Sequence, residues 1–309
     1  MMPLIMEGLD KAFTLLKLWE QPDEAAFLKA HGPSIRAVAG GFKKRMDGKF
    51  LKQFPKLEFV SNFGVGYDGV DAAWCGKNGI IVSNTPDVLT DEVADLAIGL
   101  LISTIRQLPQ ADAYLRRGEW LNGNFPLTTT LRGRKIGILG LGRIGKAVAR
   151  RLEGFGVEIA YHGRKKQADV PYKYHRTLAG MAKAVDVLIS IAPGGAGTDK
   201  LINAEVLQAL GPEGILINVG RGTVVDEKAL IKALKAKTIL TAGLDVFADE
   251  PRVPQALIDM PHVVLLPHVG SASHHTRRLM GQLVVDNLVS WFKGKGPLTP
   301  VAETPWAKA

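Results

Sequence analysis

One cysteine, Cys75, occurs in 309 residues, so no internal disulfide can form and a reducing compartment, the cytoplasm, is the expected location. Aromatic residues make up 7% of the chain, and no aromatic-basic module of the RNA-recognition kind is among them. No apolar run approaches the roughly 18 residues that a membrane span needs. The opening stretch MMPLIMEGLDKAFTLLKLWEQ carries acids and no small-residue cleavage site behind an apolar core, which argues against a signal peptide. No internal repeat or low-complexity tract is visible. Ligand-like histidine spacing is missing too: His274 and His275 are adjacent and cannot face one metal together, and His31, His162, His175 and His262 are scattered, so no metal site is expected.

What remains is an ordinary globular composition, 46% hydrophobic and 22% charged, on a chain long enough for two domains with separate cores. The net charge is +9, but the basic residues are scattered. That distribution suits steering of small anionic ligands better than binding of nucleic acid or a membrane.

Short Val- and Ile-rich runs alternate with helical patterns, the signature of βαβ units around parallel sheets. A first series predicts strands at 35–40, 57–61 and 79–83; a second predicts them at 135–140, 157–161, 186–191, 214–220, 239–246 and 262–268. Between the two lies 90–120, where Thr90 with Asp91 or Glu92 behind it reads as a helix start. The stripe Val93, Leu96, Ala97, Leu100, Leu101, Thr104 then has helical spacing. Pro109 should kink or split this helix. A second long amphipathic helix is predicted over 277–295. Two such helices let the chain leave one domain, build another and return. The expected division is a substrate domain of residues 1–98 completed by 287–309, with a cofactor domain of residues 99–286 inserted into it.

KIGILGLGRIGKAVARRL passes from strand to turn to helix, and Gly140, Gly142 and Gly145 spell G-x-G-x-x-G. The first glycine permits a tight turn, the second lets backbone approach a pyrophosphate, and the third allows close helix–strand packing. The pyrophosphate then meets free N–H groups at the helix start. Such a motif alone is weak, since a glycine-rich turn is often only a turn; its strand and helix supply the context.

Three further stretches each end a predicted strand, the edge where open α/β sheets bind ligands. INVGRG delivers Arg221, GLDVFADEP delivers Asp245 and Glu250, and LLPHVGS delivers His268 and Ser271. A guanidinium can grip a carboxylate with two prongs. An imidazole can protonate an oxygen that receives charge, and a neighbouring carboxylate favours its protonated form. Singly, the bland readings are favoured: His268 as a core histidine, Glu250 as a solvated acid and Arg221 as half of a surface ion pair. On successive strand ends, downstream of a phosphate loop, they read as the parts of a carbonyl reduction.

With these residues assembled, the chain resembles the D-isomer-specific 2-hydroxyacid dehydrogenase family over nearly its whole length. The likeness rests on NFGVGYDGVD (62–71), NTPDVLTDEVADLAIGLL (84–101), GILGLGRIG (137–145), INVGRGTVVDEKAL (217–230), AGLDVFADEP (242–251) and LLPHVGS (265–271). Within the family it looks most like the NADPH-dependent glyoxylate/hydroxypyruvate reductases and the plant hydroxyphenylpyruvate reductases. The resemblance implies an α/β fold of two doubly wound parallel-sheet domains, a Rossmann cofactor domain inserted into a flavodoxin-like substrate domain. It also implies a catalytic trio of Arg221, Glu250 and His268. Substrate is expected at the Val65 and Gly66 amides, Arg221, His268 and Ser271. Cofactor is expected at Thr90, Gly140, Leu141, Gly142, Arg143, Ile144, Gly145, Gly163, Arg164, Lys165, Pro193, Thr198, Val219, Gly220, Arg221, Asp245, His268 and Gly270, with Asp245 on the nicotinamide carboxamide. D stereochemistry and closure of the two domains over the substrate follow from the same likeness.

One departure is plain: many members carry P-L-T-P-x-T where this chain has PGGAGT (193–198), a loop its glycines should make more flexible. YHGRKK (161–166) bears on cofactor choice. No acid occurs between Glu158 and Asp169 to hold a ribose 2′-hydroxyl, whereas Gly163 opens space and Arg164 and Lys165 offer charge for a 2′-phosphate. NADP, with NADPH preferred over NADH, is the expectation; a merely solvated basic turn is the alternative. The implied activity is reduction of glyoxylate or hydroxypyruvate. Reduction of larger 2-oxoacids such as phenylpyruvates, or a nucleotide-sensing role like that of the family's corepressor relatives, stands beside it. Finally, EWLNGNFPLTTTLRGR (119–134) mixes Trp120, Leu121, Phe125 and Leu127 with few charges. Either these residues pack on their own domain or a two-fold partner covers them, giving a homodimer through the cofactor domain in which Phe125 reaches the partner's active site.

Overall fold

The structure, a computed structural model, describes residues 3–41 and 46–306. Two compact units divide the chain, Met1–Leu89 with Ser273–Ala309, and Thr90–Ala272. The divisions read from the sequence, at 98/99 and 286/287, lie inside the helices Thr90–Arg106 and His274–Phe292. Each helix belongs as a whole to one unit, because a helix packs as a rod and the chain changes partners at its N-terminus. Ser273, whose hydroxyl accepts from the Thr276 amide, marks one such start.

In the first unit β1 (Ala37–Gly40), β2 (Phe59–Asn62) and β3 (Ile81–Ser83) form a parallel sheet in the order β1-β2-β3. Successive side chains alternate between its faces. Val60 and Val82 join a cluster with Leu51, Phe54, Leu57, Val70 and Cys75. Phe59 and Ile81 join another with Ile5, Leu9, Val284, Val285 and Leu288. Both faces are therefore covered, which is what a parallel sheet requires. Burial pushes the Cys75 thiol up to about 11, so it packs as an inert apolar group.

The chain after His274–Phe292 returns along β3. Its anchor is Asn287, fully buried, whose Nδ2 donates to the Leu283 carbonyl (2.8 Å) and to Thr299 Oγ1 (3.0 Å). Its Oδ1 accepts the amides of Leu298 (3.0 Å) and Thr299 (3.1 Å). Thr299 in turn donates its hydroxyl to the Asn84 carbonyl (2.6 Å) and accepts the Asn84 amide on its own carbonyl (3.3 Å).

The second unit carries β4 (Lys135–Leu139), β5 (Glu158–His162), β6 (Lys173–His175), β7 (Val187–Ser190), β8 (Ile215–Asn218), β9 (Thr241–Leu244) and β10 (Val264–Leu265). Its sheet is parallel throughout in the order β10-β9-β8-β7-β4-β5-β6. The direction of winding reverses between β4 and β7, and the loops at that point diverge to leave a crevice at the carboxyl edge. Helix Thr90–Arg106 packs on β8 and β9 and against helix Arg143–Glu153. Gly243 lets it approach, since a Cβ there would lie 2.3 Å from Thr104 Oγ1. The helical stripe over 90–120 is split as Pro109 predicts: Gln107 turns left-handed at φ 48° and a second helix runs Leu108–Arg116. The sequence reading has no strand at β6. Its three residues, KYH, are polar and only partly buried at the sheet's edge, so they carry no apolar run to detect.

Replacing Asn287 with alanine strands two backbone amides and loosens the returning tail. We expect a loss of about 2–4 kcal/mol from the first unit, the sum of buried groups left without partners. Urea unfolding followed by tryptophan fluorescence checks this, because Trp19, Trp74, Trp291 and Trp306 all belong to that unit.

Candidate active site

The glycine loop sits at the winding reversal. Gly140 follows β4 with φ 94°, and a Cβ there would lie 3.2 Å from the Ala192 nitrogen. A Cβ on Gly145 would meet the Gly140 carbonyl oxygen, which fixes how closely the helix Arg143–Glu153 rises behind the strand. Gly142 caps that helix with no side-chain capping bond, and nothing lies within 4 Å of where its Cβ would be. An open backbone face at a helix start fits a pyrophosphate. Leu141 is buried under the loop; Ile144 is half-buried and Arg143 exposed.

The basic turn after β5 is fastened to this loop. Gln167 Nε2 donates to the Leu141 carbonyl (2.8 Å), and the Gln167 amide donates to the Tyr161 hydroxyl (2.7 Å). The Gly140 amide bonds the His162 carbonyl (3.0 Å), and Tyr174 Oη donates to the Gly163 carbonyl (3.2 Å). His162 Nδ1 meets the His175 carbonyl at 2.8 Å. On that frame Arg164 and Lys165 stand exposed with no ion pair among the described residues, and a Cβ on Gly163 would meet nothing within 4 Å. By contrast Lys146 is engaged by Asp169 at 2.5 Å. The fastening residues Gln167, Tyr161 and Tyr174 escape a sequence reading that looks for charge; Tyr174 lies on the unrecognised β6.

The PGGAGT loop is closed on itself: Thr198 Oγ1 donates to the Pro193 carbonyl (2.6 Å), and the Thr198 amide to that of Gly195 (3.0 Å). Its glycines are used for shape, with Gly195 at φ 123°. Val219 and Gly220 are buried at the end of β8. Thr90, half-exposed, opens helix Thr90–Arg106.

Three strand ends converge beyond β8, β9 and β10. Asn218, the last residue of β8, accepts the Gly220 amide on Oδ1 (3.2 Å) and donates Nδ2 to the Arg221 carbonyl (3.0 Å). Asp245, 1% exposed, accepts the Val269 amide on Oδ1 (2.7 Å) and the Gly270 amide on Oδ2 (2.9 Å). Burial pushes its carboxyl up, and those two amides oppose the shift. Each oxygen retains a second acceptor site, so the carboxamide contact expected of Asp245 remains open to it. The His268 amide donates to the Asp245 carbonyl (2.9 Å), and His268 adopts φ 54°.

Glu250 and His268 are brought together: Nδ1 of the ring lies 2.6 Å from Oε2, while Oε1 accepts the Phe247 amide at 3.1 Å. Burial pushes the Glu250 carboxyl up. The bond to His268, the Phe247 amide and the charges of His268 and Arg221 outweigh it, and the net shift is downward. Arg221 thus acts on the same carboxylate through its charge. With Nδ1 engaged, the other ring nitrogen is left to face a substrate oxygen. Ser271 is half-exposed three residues beyond His268.

Val65 and Gly66 belong to the first unit, in the loop after β2, where both are partly exposed. Among the described residues no helix is long and apolar enough to cross a membrane.

Residues 98–270 match the family model described as D-isomer specific 2-hydroxyacid dehydrogenase, NAD binding domain. The chain is 48% identical over 295 residues to a hydroxyphenylpyruvate reductase of Plectranthus scutellarioides, covering 96% of this chain and 94% of that one. It is 47% identical to the glyoxylate/hydroxypyruvate reductase A HPR2 of Arabidopsis thaliana, over 95% and 94% of the two chains. Among solved structures, an NADPH-dependent glyoxylate/hydroxypyruvate reductase from Sinorhizobium meliloti, in complex with NADP and malonate, is 54% identical. It superposes with a TM-score of 0.95 over 100% of this chain and 96% of that one.

The His268–Glu250 pair generates a pH prediction. The Glu250 carboxyl is lowered from its ordinary 4.5, so the carboxylate persists as pH falls through that value and does not set the acid limit of dehydrogenase turnover. Glu250→Gln removes the charge that lies against Nδ1, so reduction should fail at a lower pH than in the wild type. A pH–rate profile of this variant with the wild-type midpoint would remove Glu250 from the chemistry.

Proposed function

The chain belongs to the D-isomer specific 2-hydroxyacid dehydrogenase family, and from that premise we propose that it reduces small 2-oxoacids, glyoxylate and hydroxypyruvate, with NADPH. The 2.6 Å contact between His268 and Glu250 at a strand end carries this reading, because it is the arrangement of a proton donor held by its charge partner. When bound, NADPH supplies the hydride that reaches the carbonyl carbon. His268 protonates the oxygen, Glu250 orients its ring through Nδ1, and Arg221 draws the substrate's carboxylate. The amides of Val65 and Gly66, in the first unit, receive a carboxylate. When NADPH is bound, Leu141 to Gly145 would cradle its pyrophosphate, Arg164 and Lys165 would meet its 2′-phosphate, and Asp245 would accept from its carboxamide.

Likeness to a hydroxyphenylpyruvate reductase, at 48% identity, favours a second reading, in which larger 2-oxoacids are substrates. One NADPH-oxidation panel over glyoxylate, hydroxypyruvate, pyruvate and a phenylpyruvate separates the two. Highest efficiency with glyoxylate or hydroxypyruvate is expected; highest efficiency with the phenylpyruvate overturns the first reading in favour of the second. In the same assay, Arg164→Ala with Lys165→Ala should cut NADPH preference by roughly 30- to 1000-fold, the worth of two partly screened charge-assisted bonds. NADH should change little, since its ribose offers those cations no charge. Equal losses for both cofactors would make the turn merely basic.

The protein is also proposed to be a homodimer through its second unit. Trp120 (63% exposed), Leu121 (92%) and Leu127 lie on the surface. A cavity of about 300 Å³ beside them is lined by Pro109, Gln110, Ala113, Arg117, Phe125 and Pro261. Phe125 packs edge-on against Tyr114 of its own unit, ring centroids 5.4 Å apart, which favours a place in that cavity wall over a reach into a partner's active site. Apolar surface of this extent is normally covered. Light scattering at micromolar concentration should return twice the chain mass; the single-chain mass would exclude the dimer.

A further inference from the structure

The loop that follows β2 has three consecutive carbonyls tied down from within its own unit. The Gly64 carbonyl accepts the Thr85 amide (3.0 Å) and Asn62 Nδ2 (3.1 Å). The Val65 carbonyl accepts Asn84 Nδ2 (2.8 Å), and the Gly66 carbonyl accepts Asn62 Nδ2 (3.0 Å). Asn62, 6% exposed, is the last residue of β2, and Asn84 directly follows β3. Because these strands are parallel neighbours, both carboxamides emerge at the same carboxyl edge. Asn84 is itself braced, its amide and carbonyl both bonded to Thr299. Gly64 turns at φ 156°, and a Cβ there would press within 3.3 Å of the Gly66 oxygen and 3.4 Å of Asn62 Nδ2.

A trans peptide is planar, with its N–H opposed to its C=O. Fixing the Gly64 carbonyl inward therefore turns the Val65 N–H outward, and fixing the Val65 carbonyl does the same for the Gly66 N–H. Neither amide takes a hydrogen-bond partner among the described residues, and both residues are partly exposed. Two successive outward N–H groups form a concavity suited to an anion. Whatever holds the carbonyls aims the amides.

We propose that Asn62 and Asn84 are positioning residues for substrate. By gripping the Gly64 and Val65 carbonyls, their carboxamides aim the Val65 and Gly66 N–H groups at the carboxylate of the 2-oxoacid, and the Asn62 bond to the Gly66 carbonyl closes the loop behind them. This rests on the 2-oxoacid reading above. Neither side chain touches substrate; each acts through the loop's backbone. Losing the aim weakens binding of the carboxylate in ground state and transition state alike, so it raises KM and spares kcat.

The test uses Asn84→Leu and Asn62→Leu, which keep the approximate shape without donor or charge. With glyoxylate, KM should rise roughly tenfold or more, as expected when charge-assisted bonds are misaligned, while kcat and the KM for NADPH stay within about threefold. Independently of turnover, oxalate added to the ¹⁵N-labelled wild-type protein with NADPH should shift the Val65 and Gly66 amide resonances, and the variants should lose those shifts. A wild-type protein that reduces no 2-oxoacid yet shows the oxalate shifts would sink the substrate reading and leave the carboxamide clamp standing. Variants that retain the glyoxylate KM and both shifts would overturn the clamp. So would a parallel loss of NADPH and glyoxylate binding together with a lowered unfolding temperature, the mark of a merely structural role. Should the buried Asn62 variant fail to fold, Asn84, which is less buried, carries the test alone.

Discussion

The Asp245 carboxylate accepts one backbone amide on each oxygen, from Val269 and from Gly270, and the rest of the catalytic edge is arranged around that bond. The same residue's amide donates to the Asn218 carbonyl and its carbonyl accepts from His268. One buried side chain and its peptide groups thereby tie the ends of β8, β9 and the loop after β10 into a single frame. His268 sits within that frame at φ 54°, a conformation that a bulky residue adopts at a cost of about 1 kcal/mol or more unless its surroundings impose it. Here they do. The imposed backbone sends the ring to Glu250, so the position of the imidazole is decided by an acid that is not its charge partner.

Much of this was legible in the residues. The Val- and Ile-rich runs predict the strands because a parallel sheet buried on both faces needs continuous apolar segments. Gly140 and Gly145 are legible for a steric reason, and the structure gives each an atom that a Cβ would strike. That Glu250 and His268 meet is what their places on successive strand ends, downstream of the glycine loop, led one to expect. What escaped is polar and local. β6 is three residues long and offers no apolar period. Gln167, Asn62 and Asn84 act by side-chain bonds to backbone carbonyls, and amides at such positions look like any other turn residue until the backbone is seen. The ends of the two units were hard to place for another reason: the helical patterns that became Thr90–Arg106 and His274–Phe292 announce a helix but not which sheet it covers.

The basic turn and the loop after β2 share one device. In each, uncharged amides and hydroxyls hold the backbone, while the groups proposed to meet an anion have no protein partner among the described residues. Gln167 and Tyr174 hold the turn that bears Arg164 and Lys165; Asn62 and Asn84 hold the loop that bears the Val65 and Gly66 amides. Neutral fasteners suit this purpose because a charged one would compete with the ligand or repel it. They also keep the donors fixed before an anion arrives, which lowers the ordering cost of binding.

The return of the chain through Asn287 has a consequence for biosynthesis. Ser61 on β2 donates its hydroxyl to the Val284 carbonyl across 223 residues of sequence, and Phe59 and Ile81 are covered by the same late helix. A ribosome delivers β1 to β3 first, then the whole of residues 90–272, and only afterwards the segment that shields one face of the earlier sheet. The inserted unit is contiguous and holds all its strands while the first still shows bare Phe and Ile to solvent or to chaperones. A nascent chain that stalls before Ser273 is accordingly a half-covered, adhesive species, and the later unit in sequence is the earlier one to finish.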